Sequence, residues 1–253
     1  MYSIGIDSGS STTKGVLFDG EKIIERVLVS TGPNPRRTIK EVHEKLYREN
    51  AFTVTTGYGR ALLEDADKQV TEITCHGKGA AYLSNDISVI VDIGGQDSKV
   101  ILLDEDDNIK DFLMNDKCAA GTGRFVEVIM RILHEDLCDL DDYVVGAETI
   151  KISSMCTVFA ESEVVSLLAE DVPGPNIAMG VIHSISNRTS NLAKRLPLGG
   201  RVFFSGGLAR VEHVRKALEE ALHLEVVTHE DAQLVGAIGA AVIGYKHVKR
   251  RST

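Results

Sequence analysis

The chain has 253 residues, of which 43% are hydrophobic, and it carries a formal net charge of −9. This length is enough for one large domain or two lobes, and the acidic balance argues against nucleic acid or an anionic membrane as the main partner. Apolar runs such as Ile87–Ile93 are too short to span a bilayer. A strand pattern begins at Tyr2 without the basic region of a signal peptide, so we expect a cytoplasmic protein.

The predicted secondary structure contains one pattern twice. The first half has strands at 2–6, 14–19 and 22–29, a helix at about 36–48, a strand near 52–55 and a helix near 73–83. The second half begins again with strands at 87–93, 98–104 and 109–113 and a helix at about 119–134. Two copies of a three-strand-plus-helix unit predict a duplicated α/β fold with a cleft between the copies.

The rest of the chain is predicted to be mostly helical. Helices are expected at about 157–170, 175–196, 208–222 and 233–247, with a strand at 201–204. Pro173, Gly174 and Pro175 mark a loop before the second of these helices, because proline disfavours the helical conformation in the residue that precedes it.

Each half opens with a strand that ends in an acidic, glycine-containing turn. The first turn, Asp7–Lys14, supplies Gly9, Ser10, Ser11, Thr12, Thr13 and Lys14, and the second, Asp92–Lys99, supplies Gly94, Gly95, Gln96, Asp97 and Ser98. Glycines let backbone N–H groups approach phosphate oxygens, and hydroxyls and lysine add donors and positive charge. An aspartate at each strand end can hold Mg²⁺ through the water shell of the ion.

A β-hairpin turn would explain either loop alone, since Asp-Gly sequences are common in hairpins. The matched positions of the two loops in two repeats favour a pair that grips one triphosphate. Neither is a P-loop, because the chain contains no GxxxxGK[ST] sequence. A third segment, Val202–Gly207, runs from a strand into two glycines, which suits a backbone lying flat against adenosine; a plain strand-to-helix turn is the alternative.

The chain has four cysteines and no CxxC pair, which disfavours a zinc knuckle within one chain. Cys118 and Cys156 each stand before a predicted helix, whose N-terminus favours a thiolate and an anionic iron–sulfur cluster bound to it. Two thiolates cannot complete a cluster that takes four, whereas a twofold dimer supplies four. A buried free thiol is the alternative for these residues and the expectation for Cys75 and Cys138.

Together the loops and Ser205-Gly206-Gly207 resemble the actin, sugar-kinase and heat-shock-chaperone ATPase superfamily over nearly the whole chain. The resemblance implies a duplicated ribonuclease-H-like (actin-like) α/β fold with a nucleotide cleft between two lobes. The first lobe would span 1–85, with the C-terminal helix at about 237–250 packed on it, and the second would span 86–236. Segments 119–125 and 236–241 look like its two hinge helices, although their small residues are equally compatible with plain close packing.

Longer motifs are similar to those of the activator, or component A, of 2-hydroxyacyl-CoA dehydratases. The matching segments are Asn115–Phe125, Ser153–Glu163, Thr56–Arg60, Ala66–Gln69 and Asp92–Asp97. The same group includes the ATP-binding subunits of benzoyl-CoA reductase and the reductases of double-cubane cluster proteins. The resemblance implies a homodimer that holds one [4Fe-4S] cluster through Cys118 and Cys156 of both chains, together with ATP or ADP and Mg²⁺.

The chemistry of ATP hydrolysis predicts roles for individual residues, and the choice of Gln96 follows an analogy with water-orienting glutamines. Asp7 and Asp92 would hold Mg²⁺, and Gln96 would position the attacking water. Asp97 is a candidate for a second contact to water or Mg²⁺, or for a turn cap. The nucleotide contacts are expected from Gly9, Ser10, Ser11, Thr12, Thr13, Lys14, Gly94, Gly95, Asp97, Ser98, Gly206 and Gly207.

The implied activity is an ATP-dependent one-electron reduction. Ferredoxin or flavodoxin would reduce the cluster, and ATP hydrolysis would drive the electron to an iron–sulfur partner, either a 2-hydroxyacyl-CoA dehydratase or a double-cubane cluster protein. A small-molecule kinase and a cluster-free ATP-gated module on the same fold are the alternatives. The extended motifs beyond the loops surround cysteines rather than a sugar-binding set of polar side chains, which favours the reductase.

Overall fold

A computed structural model describes residues 1–153 and 156–251 of the chain. Contacts within the chain divide it into two compact units. One unit comprises Met1–Ile90, Leu103–Lys110 and the C-terminal segment from His229. The other comprises Val91–Leu102 and Asp111–Thr228. Among the described residues, no helix has both the length and the apolar composition that crossing a membrane requires.

The strands and helices are numbered separately in chain order. The strands are β1 Ser3–Ser8, β2 Thr12–Phe18, β3 Ile23–Ser30, β4 Phe52–Thr56, β5 Lys68–Gln69, β6 Ile87–Ile93, β7 Ser98–Leu103, β8 Ile109–Asn115, β9 Arg201–Gly206 and β10 Val226–Val227. The helices are α1 Pro35–Leu46, α2 Glu72–Leu83, α3 Gly123–Ile132, α4 Leu140–Tyr143, α5 Thr157–Ala169, α6 Gly174–Ala193, α7 Glu212–Leu222 and α8 Val235–Arg251.

The first sheet has the strand order β3-β2-β1-β4-β5. The chain meanders through the antiparallel strands β1, β2 and β3, and β4 then pairs with β1 in parallel. Every residue of the central strand β1 is buried, whereas the edge strand β3 alternates between half-buried and exposed residues. Helix α1 begins after the capping side chain of Asn34 and buries Ile39, Val42 and Leu46 against this sheet.

Helices α2 and α8 of the first unit pack at the distance of backbone contact. A Cβ on Gly239 would overlap the carbonyl oxygen of Cys75, and a Cβ on Gly79 would overlap that of Val235. Glycine at these two positions is therefore required for the helices to pack as they do. Gly239, one of the small residues that the sequence places in 236–241, serves this close packing.

The second sheet has the order β10-β9-β6-β7-β8, so β6 and its acidic turn lie in the middle, next to β9. Strand β7 is buried throughout and β6 nearly so, which explains their continuous apolar sequences. With the first sheet, this arrangement gives the mixed α/β fold that the repeated sequence pattern predicts.

Two predicted helices begin later than expected. The helix predicted at 119–134 is a 3₁₀ turn, Ala119–Gly121, followed by α3, because the extended backbone of Thr122 (φ −131°, ψ 166°) separates them. The helix predicted at 208–222 begins at Glu212, after a 3₁₀ turn at Gly207–Arg210. Three short elements, β5, β10 and α4, were not expected, since two to four residues carry too little pattern to be recognised.

Candidate active site

The first acidic turn is closed by its own backbone and by an ion pair. The Gly9 N–H donates to the carbonyl oxygen of Thr12 over 3.1 Å. At the base of the turn, Lys14 Nζ lies 3.1 Å from Asp7 Oδ2, because the two residues face each other across the β1–β2 ladder. Ser10 and Ser11 are exposed at the tip.

Asp7 is the most unusual group in this turn. Its side chain is buried, yet Oδ1 has no hydrogen-bond partner among the described residues. Glycines surround it closely: a Cβ on Gly57 would overlap Oδ1, and one on Gly236 would come within 2.9 Å of Oδ2. A buried carboxylate oxygen without a donor is costly, and a water from the shell of Mg²⁺ is the donor that suits it.

A threonine that sequence reasoning did not identify supports the first turn from below. Thr31 is buried after β3, and its hydroxyl donates to the carbonyl oxygen of Gly9 over 2.8 Å. The same hydroxyl oxygen lies 2.9 Å from that of Thr13, and the Thr31 N–H donates to Ser11 O over 3.0 Å. The Thr13 side chain is fully buried in this pair, so its hydroxyl holds the turn in shape.

The second acidic turn has the same construction. The Gly94 N–H donates to Asp97 O over 2.9 Å, matching the bond that closes the first turn. Lys99 follows Asp92 by seven residues, as Lys14 follows Asp7, and its Nζ lies 3.2 Å from Asp92 Oδ2. The repeated aspartate–lysine spacing could have revealed this pair in the sequence.

Lys99 differs from Lys14 in its burial and in its second partner. Its side chain is only 1% exposed, and its Nζ also lies 2.9 Å from Asp97 Oδ1. An ammonium group buried at this depth requires carboxylates around it. Asp97 thus has a defined contact within the turn, while Gln96 is exposed at the tip, where it can reach a bound ligand.

The end of β9 completes the second turn. Ser205 is buried, and its hydroxyl donates to Asp92 Oδ1 over 2.7 Å, so both oxygens of Asp92 have partners within the protein. Gly206 has φ 96° and lies against the backbone of Ile93, where a Cβ would overlap the Ile93 carbonyl oxygen. Gly207 follows and is exposed. The structure therefore brings the predicted phosphate turn 92–98 and the predicted adenosine segment together in one unit.

The cysteines fall into two groups. Cys75 is fully buried, and burial raises the pKa of its thiol to about 12. Cys118, Cys138 and Cys156 are exposed, so the expectation of a buried thiol is wrong for Cys138. Cys156 directly precedes α5, as predicted, and Cys118 precedes the 3₁₀ turn that leads into α3. Of the predicted motif around Cys156, Ser154 and Met155 lie outside the described residues.

Comparison with known proteins identifies the family. Residues 4–244 match the model of the BadF/BadG/BcrA/BcrD ATPase family. The activator of lactoyl-CoA dehydratase from Anaerotignum propionicum is 44% identical, over 99% of this chain and 100% of that protein. The (R)-2-hydroxyglutaryl-CoA dehydratase activating ATPase from Acidaminococcus fermentans is also 44% identical, over 97% and 98%.

A solved structure agrees with these relatives. The activator of 2-hydroxyisocaproyl-CoA dehydratase from Clostridium difficile, with bound ADPNP, superposes with a TM-score of 0.93 at 39% identity, over 100% of this chain and 97% of that one. The predicted resemblance and the predicted duplicated actin-like fold are both confirmed. The chain belongs to the BadF/BadG/BcrA/BcrD ATPase family and is an ATPase.

Proposed function

We propose that this ATPase is an activator that uses ATP hydrolysis to drive a low-potential electron from a [4Fe-4S] cluster, shared by a homodimer, to an iron–sulfur partner enzyme. The observation that carries the proposal is the exposure of Cys118 and Cys156 at the start of two helical segments, in the unit that also holds the second acidic turn. Relatives named as dehydratase activators support it.

Each acidic turn is a phosphate-binding loop in this proposal. Ser10, Ser11 and Lys14 contact phosphate oxygens, and the Gly94 and Gly95 backbone approaches phosphate oxygens at the second turn, with Gly206 and Gly207 against adenosine. Thr12 and Ser98 complete the two turns, and Thr13 acts through its bond to Thr31. The ADPNP bound to the 39% identical activator supports nucleotide binding by this fold.

Asp7 and Asp92 have different roles in this proposal. Asp7 holds Mg²⁺ through a water, because its buried Oδ1 lacks any other donor among the described residues. Asp92 contributes negative charge at the second turn, where Lys99 and Ser205 fix its position. Gln96, exposed at the tip of the second turn, orients the water that attacks the γ-phosphate.

The cysteines fit the cluster by their chemistry and number. Cys118 and Cys156, two of the three exposed cysteines, give four thiols in a dimer, the number of thiolates that a [4Fe-4S] cluster requires. When bound, the cluster would supply one-electron transfer at low potential. The α5 N-terminus favours the negative charge that the Cys156 thiolate carries. A ferredoxin or flavodoxin is the electron donor, and a 2-hydroxyacyl-CoA dehydratase or a double-cubane cluster protein is the acceptor.

Anaerobic reconstitution tests the proposal. The wild-type dimer should be brown and hold about four irons per two chains. Cys118→Ala and Cys156→Ala should each abolish the colour, because by symmetry one substitution removes two of the four ligands. Cys138→Ala is the matched control, since Cys138 is also exposed but lies outside the motifs, and it should keep the cluster.

Two results would refute the shared cluster. A colourless, iron-free protein that still hydrolyses ATP would leave only the ATPase assignment. Four irons in each monomer, lost on replacement of Cys75 or Cys138, would indicate a site within one chain.

A further inference from the structure

The start of helix α3 is hydrogen-bonded to the second acidic turn. The Gly123 N–H donates to Gly94 O over 2.8 Å, and the Arg124 N–H donates to Gly95 O over 3.1 Å. The first N–H groups of a helix have no partner within the helix, so these carbonyl oxygens satisfy donors that would otherwise need a cap. A Cβ on Gly123 would lie 3.2 Å from Gly94 O, which shows how closely the helix end and the turn pack.

Thr122 lies at this junction and faces two acceptors. Its Oγ1 is 2.8 Å from the carbonyl oxygen of Ala119 and 3.2 Å from that of Gly95. A threonine hydroxyl has one proton, so it can make a full hydrogen bond to only one of the two oxygens at a time. Thr122 is fully buried, so water has no access to its side chain. The hydroxyl therefore links a carbonyl of the phosphate turn to a carbonyl of the segment that follows Cys118.

On the other side of the junction, Asn115 holds Cys118 by its backbone. The Cys118 N–H donates to Asn115 Oδ1 over 3.1 Å, and Asn115 Nδ2 donates to the Cys118 carbonyl oxygen over 2.9 Å. The Gly121 N–H donates to Cys118 O over 3.3 Å, and a Cβ on Gly121 would come within 2.9 Å of Asn115 Nδ2. The turn from Asn115 to Gly121 is therefore cross-linked and should move as one piece.

We propose that Thr122 is a positioning residue that couples the nucleotide state of the second acidic turn to the position of Cys118. The coupling rests on the proposed function, in which Gly94 and Gly95 approach the phosphates. When the phosphates change, the turn shifts and the Gly95 carbonyl moves relative to Thr122. The hydroxyl then donates more strongly to one of the two carbonyl oxygens, Gly95 O or Ala119 O, and less strongly to the other. The turn from Asn115 to Gly121 contains Ala119, so it moves as one piece and Cys118 moves with it.

The test measures how fast Cys118 is alkylated by iodoacetamide in the full-length, iron-free chain, resolved by peptide mass spectrometry. Rates are compared with ADP and with a non-hydrolysable ATP analogue. We expect a wild-type ratio of roughly fivefold or more, the lower range of allosteric coupling. Thr122→Val, which removes the hydroxyl at nearly constant shape but keeps the backbone bonds of Gly123 and Arg124 to the turn, should lower the ratio clearly below that of the wild type. Thr122→Ser, which keeps the hydroxyl, should retain most of it.

Ser190→Ala is the matched control. It removes another hydroxyl-to-carbonyl bond of the same unit, from Ser190 Oγ on α6 to Ala221 O on α7 over 2.9 Å, and neither helix contains a residue of the acidic turn or a cysteine. It should keep the wild-type ratio, which would show that the loss in Thr122→Val is specific to the junction.

Nucleotide affinity, measured in parallel, separates the coupling from the function on which it rests. A wild-type chain that binds neither nucleotide would overturn the nucleotide site and the coupling together. Binding with an alkylation ratio of one in the wild type would overturn the coupling alone. A wild-type alkylation ratio in Thr122→Val would also overturn the coupling. A loss of nucleotide affinity in that variant would do the same, because the hydroxyl would then only support the turn.

Discussion

Replacement of Lys99 by methionine should destabilise the protein more than any other single change in the acidic turns. The substitution keeps most of the apolar volume of the lysine side chain but removes the ammonium between Asp92 and Asp97. Asp92 is buried and would keep its bond from Ser205 but lose the ammonium beside its other oxygen. Removing one partner of a buried ion pair costs about 3–5 kcal/mol, and the 27% exposure of Asp97 places the expected loss near 3 kcal/mol.

The duplication provides the control. Lys14→Met removes the equivalent pair in the first turn, where the Lys14 side chain is 16% exposed and pairs with Asp7. The loss of unfolding free energy should therefore be smaller, at about 1–2 kcal/mol. Urea titration followed by circular dichroism measures both variants. Asp97→Asn combined with Lys99→Met should recover part of the loss, because one of the two unpaired charges is removed with the lysine.

Equal losses in the two lysine variants would contradict the argument, since burial and the second carboxylate are what distinguish Lys99. A Lys99→Met protein as stable as the wild type would contradict the argument more strongly. It would show that the carboxylates of the second turn do not need an internal cation, and that Asp92 is accessible to solvent or to a metal in solution.

Three further predictions concern the site. Asp7→Asn removes the charge but not the shape of the carboxylate, so phosphate release from ATP should fall at least about 100-fold while the cluster remains; a wild-type rate would move the active site elsewhere. Gly206→Ala places a Cβ against the Ile93 carbonyl at φ 96° and should weaken nucleotide affinity, measured by calorimetry, at least about tenfold. Burial raises the pKa of the Cys75 thiol from 9.0 to about 12, so as the pH rises the thiol loses its proton in the unfolded chain before it does so in the folded one. The free energy of unfolding should therefore fall between these two pH values, and urea titrations of Cys75→Ala should show a smaller fall.

Local pattern was sufficient to predict the elements that form the scaffold. The alternation in Ile4-Gly5-Ile6 and the apolar sequence of Ile87–Ile93 are properties of the strands themselves, and both strands lie where they were expected. The glycine and acidic residues after them mark turns whose backbone hydrogen bonds are local, from Gly9 to Thr12 and from Gly94 to Asp97. Such features depend on few residues and are therefore visible in a sequence.

The supporting residues were not predicted, because their roles depend on distant parts of the chain. Thr31 reaches the first turn only through the β2–β3 ladder, and Ser205 reaches Asp92 across 113 residues of sequence. Lys99 was recognised as part of a turn but not as a buried cation, since burial depends on the packing of the whole unit. Thr122 was placed inside a helix, and its extended backbone shows that the helix begins after it.

The two acidic turns have kept one backbone and have diverged in what surrounds their aspartates. Each has the same closing bond and an aspartate paired with the lysine seven residues later. In the second turn, Lys99 and Ser205 occupy both oxygens of Asp92, and the neighbouring glycine carbonyls accept the start of α3. In the first turn, one oxygen of Asp7 has no donor among the described residues. The same turn backbone therefore leaves one aspartate oxygen without a donor among the described residues in the first turn and both aspartate oxygens satisfied in the second.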